Sequence, residues 1–262
     1  MKILFINDDG YDAIGIQTLY KEFTKHYDSY MCAPLTHKSA FSHAINYYDH
    51  LELKKLTGNI KGFALDGTPA DCARASLQGL FEEKFDLVLS GINYGVNAAQ
   101  DIFYSGTVAA AREATFHGVM AIAISLHIHD TEGHIITDDI KKIFSYTANI
   151  TKRIVDQLPR ELLQYKESLI NINFPDLIPA KGIKVTTLGL HSYVTQLDHS
   201  SKDNKDYVKI NTVDKSVSTG IGTDVYHLNE GYIVVTALHK GISYDDILQS
   251  KLGFVEQISV DL

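Results

Sequence analysis

Over its first 175 residues the chain alternates short apolar runs with stretches of helical period, and no other feature narrows the fold as much. The runs are KILFI (2–6), SYMCA (29–33), FDLVLS (85–90), VMAIAISL (119–126) and SLININFP (168–175). Each is short, nearly continuous in apolar residues and bounded by turn formers, the pattern of a strand buried on both faces. Between them, AIGIQTLYKEFTKHY (13–27) puts Ile16, Leu19, Tyr20 and Phe23 on one helix face. PADCARASLQGLF (69–81) opens on a proline suited to a first helical turn. TVAAAREATFHG (107–118) is Ala-rich with Gly118 as a stop, and TDDIKKIFSYTANITKRIVDQL (137–158) has Thr137 as its cap. Alternation of this kind predicts an α/β fold, a mostly parallel sheet with helices on both faces.

The intervening segments read as a polar loop (34–44), two extended stretches (45–56 and 61–67) joined through TGN, and a long Gly- and Asn-rich loop (91–106). Beyond residue 180 the pattern changes. HSSKDNKD (199–206) reads as a polar loop between the strand-like KGIKVTTLGL and DYVKINTV. The expected organisation is a core over 1–180 and a strand-rich extension over 181–262, which together can count as one domain.

With 262 residues, 45% of them hydrophobic, the chain can bury a substantial core. Its 24 basic against 32 acidic residues give a net charge of -8, which argues against broad nucleic-acid or membrane-surface binding. An anionic small substrate remains compatible, because a bound cation reverses the local field. Cys32 and Cys72 lie in apolar segments without CxxC spacing and read as buried hydrophobes in a reducing compartment. No signal peptide pattern precedes the first strand, and no apolar run approaches the ~18 residues of a membrane helix. The expectation is a soluble cytoplasmic protein.

The chemistry gathers where strands end. INDDG (6–10) places Asp8 and Asp9 side by side at the end of the first apolar run. Like charges this close repel and raise each other's pKa unless something positive accompanies them. A solvated acidic turn is one reading; a divalent cation is the other. Ser39 in the loop after the second strand and Asn93 in SGINYG (90–95) add a hydroxyl and an amide carbonyl. All four are hard oxygen donors of the kind Mg²⁺ and Mn²⁺ take, although Ser39 and Asn93 taken singly also read as ordinary loop and turn residues. YSGT (104–107) leads into a helix whose free N–H groups and partial positive charge suit a phosphate, or Thr107 is simply its N-cap. P-loop, dinucleotide-binding and nucleophile-elbow motifs are all missing from the sequence. The 12 histidines, including His37, His43, His50 and the LHIHD stretch (126–130), lack zinc-site spacing and read as solvated loop residues.

The motif series ILFINDDG, DGTPADC (66–72), SGINYGVN (90–97), DIFYSGTVAAARE (101–113) and NINFP (171–175), in order over about residues 1–175, resembles the SurE family of survival-protein-E nucleotidases. TDVYHLNEGYIVVTAL (223–238) is a weaker echo. The resemblance implies a Rossmann-like three-layer core and a metal-dependent phosphatase acting on 5′- and often 3′-nucleoside monophosphates; the acidic charge already argues against a stable nucleic-acid partner. It implies a homodimer or homotetramer assembled partly through C-terminal segments. Carried over by motif, one divalent cation, Mg²⁺ or Mn²⁺, is held by Asp8, Asp9, Ser39 and Asn93, while Asn97, Ser105, Gly106 and Thr107 contact phosphate. The chain departs from the family pattern in having Ala40 where the loop commonly has Gly, Ala98 and Ala99 in a stretch that often carries Gly, and Ala237 in place of Pro.

Three readings compete for these residues. In the first, a metal-held water attacks phosphorus with Asp8 or Asp9 as base. In the second, the acidic pair belongs to a phospho-receiver-like Mg²⁺-binding signalling module, which requires a phosphorylatable Asp that LSGIN does not supply. In the third, an aspartate is the nucleophile. For the two adjacent acids to face one ion, the chain must bend at Gly10, since neighbours on an extended strand point apart.

Overall fold

The computed structural model describes residues 1–128, 136–203, 205–218 and 220–241. The alternating segments become β1 (Lys2–Ile6), α1 (Ile14–Phe23), β2 (Asp28–Pro34), β3 (Leu53–Lys55), β4 (Gly62–Leu65), α2 (Pro69–Ala75), β5 (Leu87–Tyr94), α3 (Gly106–Phe116), β6 (Met120–Leu126), α4 (Asp138–Asp156) and β7 (Ser168–Phe174). Then follow β8 (Ile183–Val185), β9 (Leu190–Lys202), β10 (Lys205–Ser218), α5 (Asp224–Asn229) and β11 (Ile233–His239).

One sheet runs β3-β4-β2-β1-β5-β6-β7-β11-β8. It is parallel from β4 through β7 and antiparallel where β3 meets β4 and where β11 meets β7. Period-two alternation divides its side chains between two cores. Ile3 and Phe5 of β1 pack with Ile16, Leu19 and Phe23 of α1 and Phe144 and Ala148 of α4. Leu4 and Ile6 pack on the other face with Cys72 and Ala73 of α2 and Val108, Ala111 and Ala114 of α3. Helices therefore cover both faces, as the alternation predicts. Cys32 and Cys72 are free and buried.

The structure amends several local readings. The stretch 91–106 is not all loop: β5 runs on to Tyr94 across a register shift between Ser90 and Asn93, and a 3₁₀ turn spans Ala99–Phe103. The helix read over 69–81 keeps α geometry only to Ala75 and then widens before Gly79. The polar 199–206 stretch, apart from its turn, belongs to β9 and β10, an antiparallel hairpin that makes its own two-stranded sheet. Its polarity follows from exposure on both faces rather than from a loop. His129 and Asp130 of LHIHD and the chain from 242 onward lie outside the described residues. No described helix is long and apolar enough to cross a membrane.

Candidate active site

Strand order reverses at β1: its crossover through α1 leads to β2 on one side, and the later strands β5, β6 and β7 lie on the other. Open parallel sheets bind ligands beyond the carboxyl ends of their strands at such a point. Here Asp8 and Asp9 follow β1, the 34–44 loop follows β2, and Asn93 stands at the end of β5.

Each position has a local cause. Asn7 Nδ2 donates to the Gly10 carbonyl at 2.7 Å, and Gly10 takes φ +107°, so the chain bends immediately after the acids. The Lys38 N–H donates to the Asp8 carbonyl at 2.7 Å and ties the post-β2 loop to this bend. The Tyr94 N–H donates to Asp9 Oδ2 at 3.2 Å, which anchors β5 to the second acid. Ser105 is the N-cap of α3, its Oγ accepting from Val108 N–H at 3.0 Å. Thr107 is therefore not the cap; its hydroxyl donates to Asp8 Oδ1 at 2.5 Å. Gly106 permits that approach, since a Cβ there would lie 2.9 Å from Asp8 Cβ and 3.0 Å from Pro69 Cγ.

A cavity of about 430 Å³ opens here, with Asp8, Ser39, Asn93, Asn97 and Ser105 in its walls. Asp9, Gly106 and Thr107 adjoin it through Asp8. Asn93 Nδ2 donates to the Gly95 carbonyl at 2.8 Å, which leaves its amide oxygen as the end available to a ligand. Asn97 is buried and held on every side. Its N–H donates to Asn173 Oδ1 at 2.8 Å, its carbonyl accepts from Asn171 and Asn173 Nδ2 at 2.8 and 3.1 Å, and its own Nδ2 donates to Ser125 Oγ at 2.7 Å.

Burial pushes the Asp8 carboxyl up to about 6, with the charge of Asp9 adding to the rise; the Thr107 hydroxyl and amide pull it partly back. No lysine, arginine or histidine forms an ion pair with Asp8 among the described residues. A buried carboxyl destabilised by a second carboxyl and lacking a basic partner is what a cation would relieve. Ser39, Asn93 and Thr107 offer oxygens around it, and the described residues contain no cluster of three or more His, Cys, Asp or Glu placed to hold a metal ion. That set fits Mg²⁺ or Mn²⁺ better than zinc.

Sequence reasoning missed several residues of the site. His37, read as a solvated loop histidine, places Nε2 2.7 Å from Ser39 Oγ and 3.4 Å from Asp9 Oδ1. Tyr193 of β9 hydrogen-bonds Asp101, and both line the cavity with Tyr104. Asn171 and Asn173 carried a usable signal: two amides at i and i+2 inside an otherwise apolar buried strand share one face and need polar partners.

With this geometry in place, the sequence matches the profile of the family described as Survival protein SurE over residues 3–195. The chain belongs to the SurE family. A relative named 5′-nucleotidase SurE, from Thermoanaerobacter sp. (strain X514), is 36% identical over 248 residues, 91% of this chain and 92% of its own. Another of that name, from Desulfitobacterium hafniense (strain DSM 10664 / DCB-2), is 38% identical over 249 residues, 93% of this chain and 92% of its own. The crystal structure of the SurE protein from Aquifex aeolicus aligns with a TM-score of 0.75 at 30% identity, covering 98% of this chain and all of the other. Two of the departures from the SurE pattern fall on unusual backbone: Ala40 and Ala99 adopt φ of 61° and 50°, the left-handed region that glycine occupies without strain.

Proposed function

We propose that the protein is a metal-dependent 5′-nucleotidase, a phosphoric monoester hydrolase that releases inorganic phosphate from nucleoside monophosphates and also accepts 3′-nucleotides. One observation carries the reading: a buried Asp8, with no basic partner among the described residues, stands between a second acid and the N-terminus of α3, in a cavity at the strand-order switch. Relatives of 36–38% identity named 5′-nucleotidase support the same substrate class.

Asp8, Asp9, Ser39 and Asn93 are the residues that would hold one Mg²⁺ or Mn²⁺. When bound, such an ion supplies a Lewis acid for a phosphoryl oxygen and lowers the pKa of a water. The chain's own residues do the rest. Asp8 or Asp9 takes the proton of the water that attacks phosphorus in line with the departing nucleoside oxygen. The positive end of α3, at Ser105, Gly106 and Thr107, holds the anionic phosphoryl oxygens. Asn97, its place set by Asn171 and Asn173, offers those oxygens the Nδ2 hydrogen that Ser125 does not take. His37 orients Ser39 and Asp9. The β9–β10 hairpin joins copies of the chain into a homodimer or homotetramer.

The test is phosphate release from a panel of 5′- and 3′-nucleotides after chelation, then with Mg²⁺ or Mn²⁺ restored. Release should vanish on chelation and return with metal. Asp9→Asn should lower it by more than about 100-fold, since even residues that merely support a metal ligand cost 10–100-fold. Full activity in Asp9→Asn, or turnover indifferent to chelation, would sink the assignment.

A further inference from the structure

A second cavity, of about 860 Å³, adjoins the first across a shared wall. The 39–44 loop gives Ser39 and Ala40 to the first cavity and Phe41 and His43 to the second. The 3₁₀ turn and the residue after it likewise give Asp101 and Tyr104 to one and Phe103 to the other. The two segments are joined by a backbone hydrogen bond, Ser42 N–H to the Tyr104 carbonyl at 3.1 Å.

The second cavity has two unusual properties. Phe41, Phe103 and Phe116, from three different elements, surround it while remaining 49, 58 and 52% exposed. Large rings left half-open around one concave space mark a binding surface rather than a core. The other is Arg112 of α3, which lines the cavity and is partly buried there, enough that desolvation pulls its pKa below the usual arginine value. Its guanidinium has no hydrogen bond or ion pair among the described residues. The neighbouring Glu113 is already engaged, with His43 at 2.8 Å and His117 at 3.0 Å. Lys240, also in the wall, is tied to Glu167 at 2.9 Å. A partly desolvated cation without a partner is costly, and a flat ligand presenting two acceptors to its planar fork of donors would complete it.

We propose that this cavity holds the base of the nucleotide whose phosphate lies at Asp8, and that Arg112 selects 6-oxopurines, guanine and hypoxanthine, by donating to O6 and N7. The inference rests on the nucleotidase reading above. Arginine paired with those two acceptors is the commonest specific arginine–base contact. Adenine turns an amino donor toward the guanidinium at the corresponding position, and pyrimidines lack N7. The phenylalanine rings supply stacking surface that every base can use, so they add affinity while Arg112 adds discrimination.

Two measurements test this. In the metal-loaded enzyme, kcat/KM for GMP and IMP should exceed that for AMP by about tenfold. Arg112→Gln should bring the ratio to within about twofold of unity by raising KM for GMP and IMP. In metal-free protein, calorimetry with guanosine and adenosine, which need neither metal nor chemistry, should show guanosine tighter by a similar factor and the preference lost in Arg112→Gln. Arg112→Lys keeps the charge and stem without the fork; it should melt like the parent and lose the preference. Equal binding of the two nucleosides by the parent, or a preference that survives in Arg112→Gln, overturns the inference. Arginine-dependent guanosine binding in a protein that releases phosphate from nothing would uphold the cavity's assignment and reject the nucleotidase reading instead.

Discussion

Ala40 shows how single residues shape the site. It follows Ser39 directly, is exposed, and holds φ at 61°. A left-handed alanine costs roughly 1–2 kcal/mol, against which glycine's greater freedom in the unfolded chain must be set. Ala40→Gly should therefore stabilise the protein by about 0.5–1 kcal/mol, seen as a higher Tm; a lower Tm would show that the methyl group makes contacts the loop needs. Residue types were readable at this scale: the acid, serine and asparagine picked out at strand ends do line one cavity. Partners far apart in sequence were not. Tyr193 meets Asp101 across 92 positions, and His37 reaches Asp9 only because β1 and β2 lie side by side. Nothing local in either residue signals the contact.

Elements transmit that geometry. α1 crosses β5 so closely that a Cβ on Gly15 would lie 1.9 Å from the Ile92 carbonyl oxygen, next to Asn93. Gly15→Ala should cost about 1–3 kcal/mol or more as overpacking and lower phosphate release together with Tm; an unchanged Tm would mean that α1 shifts without consequence. α3 is fastened to the 39–44 loop through Glu113 and His43. Burial pushes the Glu113 carboxyl up, but hydrogen bonds from His43 and His117 outweigh it and hold the group below its ordinary 4.5. A lowered folded-state value means that this pairing stabilises fully above pH 4.5 and fades as the pH falls through the folded value. Glu113→Gln should thus flatten the acid limb of the stability curve below about pH 4.5; an acid limb as steep as the parent's would refute this. Strand starts and helix faces were legible from periodicity because burial on two sides imposes it. The run of β5 past Gly91 was not, because the bulge that aims Asn93 interrupts the apolar pattern by which a strand is recognised.

At the scale of the whole molecule, one feature is not explained by the fold of a single chain. Among the described residues β9 and β10 pair only with each other, over 13 and 14 residues, and a lone two-stranded ribbon is marginal in water. Leu197 and Ile210 stand directly opposite one another in the ladder, and both are exposed. Apolar cross-strand pairs on an unsupported ribbon have a reason to persist if a second copy covers them. The full chain should run as a dimer or tetramer by light scattering. Leu197→Lys with Ile210→Asp replaces the apolar pair by opposite charges at the same register, which preserves the hairpin while removing the surface a partner would bury. That double variant should shift toward the mass of one chain. Because Tyr193 at the hairpin's base remains beside Asp101 in the wall of the cavity at Asp8, it should also retain most of its phosphate release. A parent that already runs as a monomer would show that the hairpin serves some other contact. A double variant that stays assembled would place the interface elsewhere in the fold.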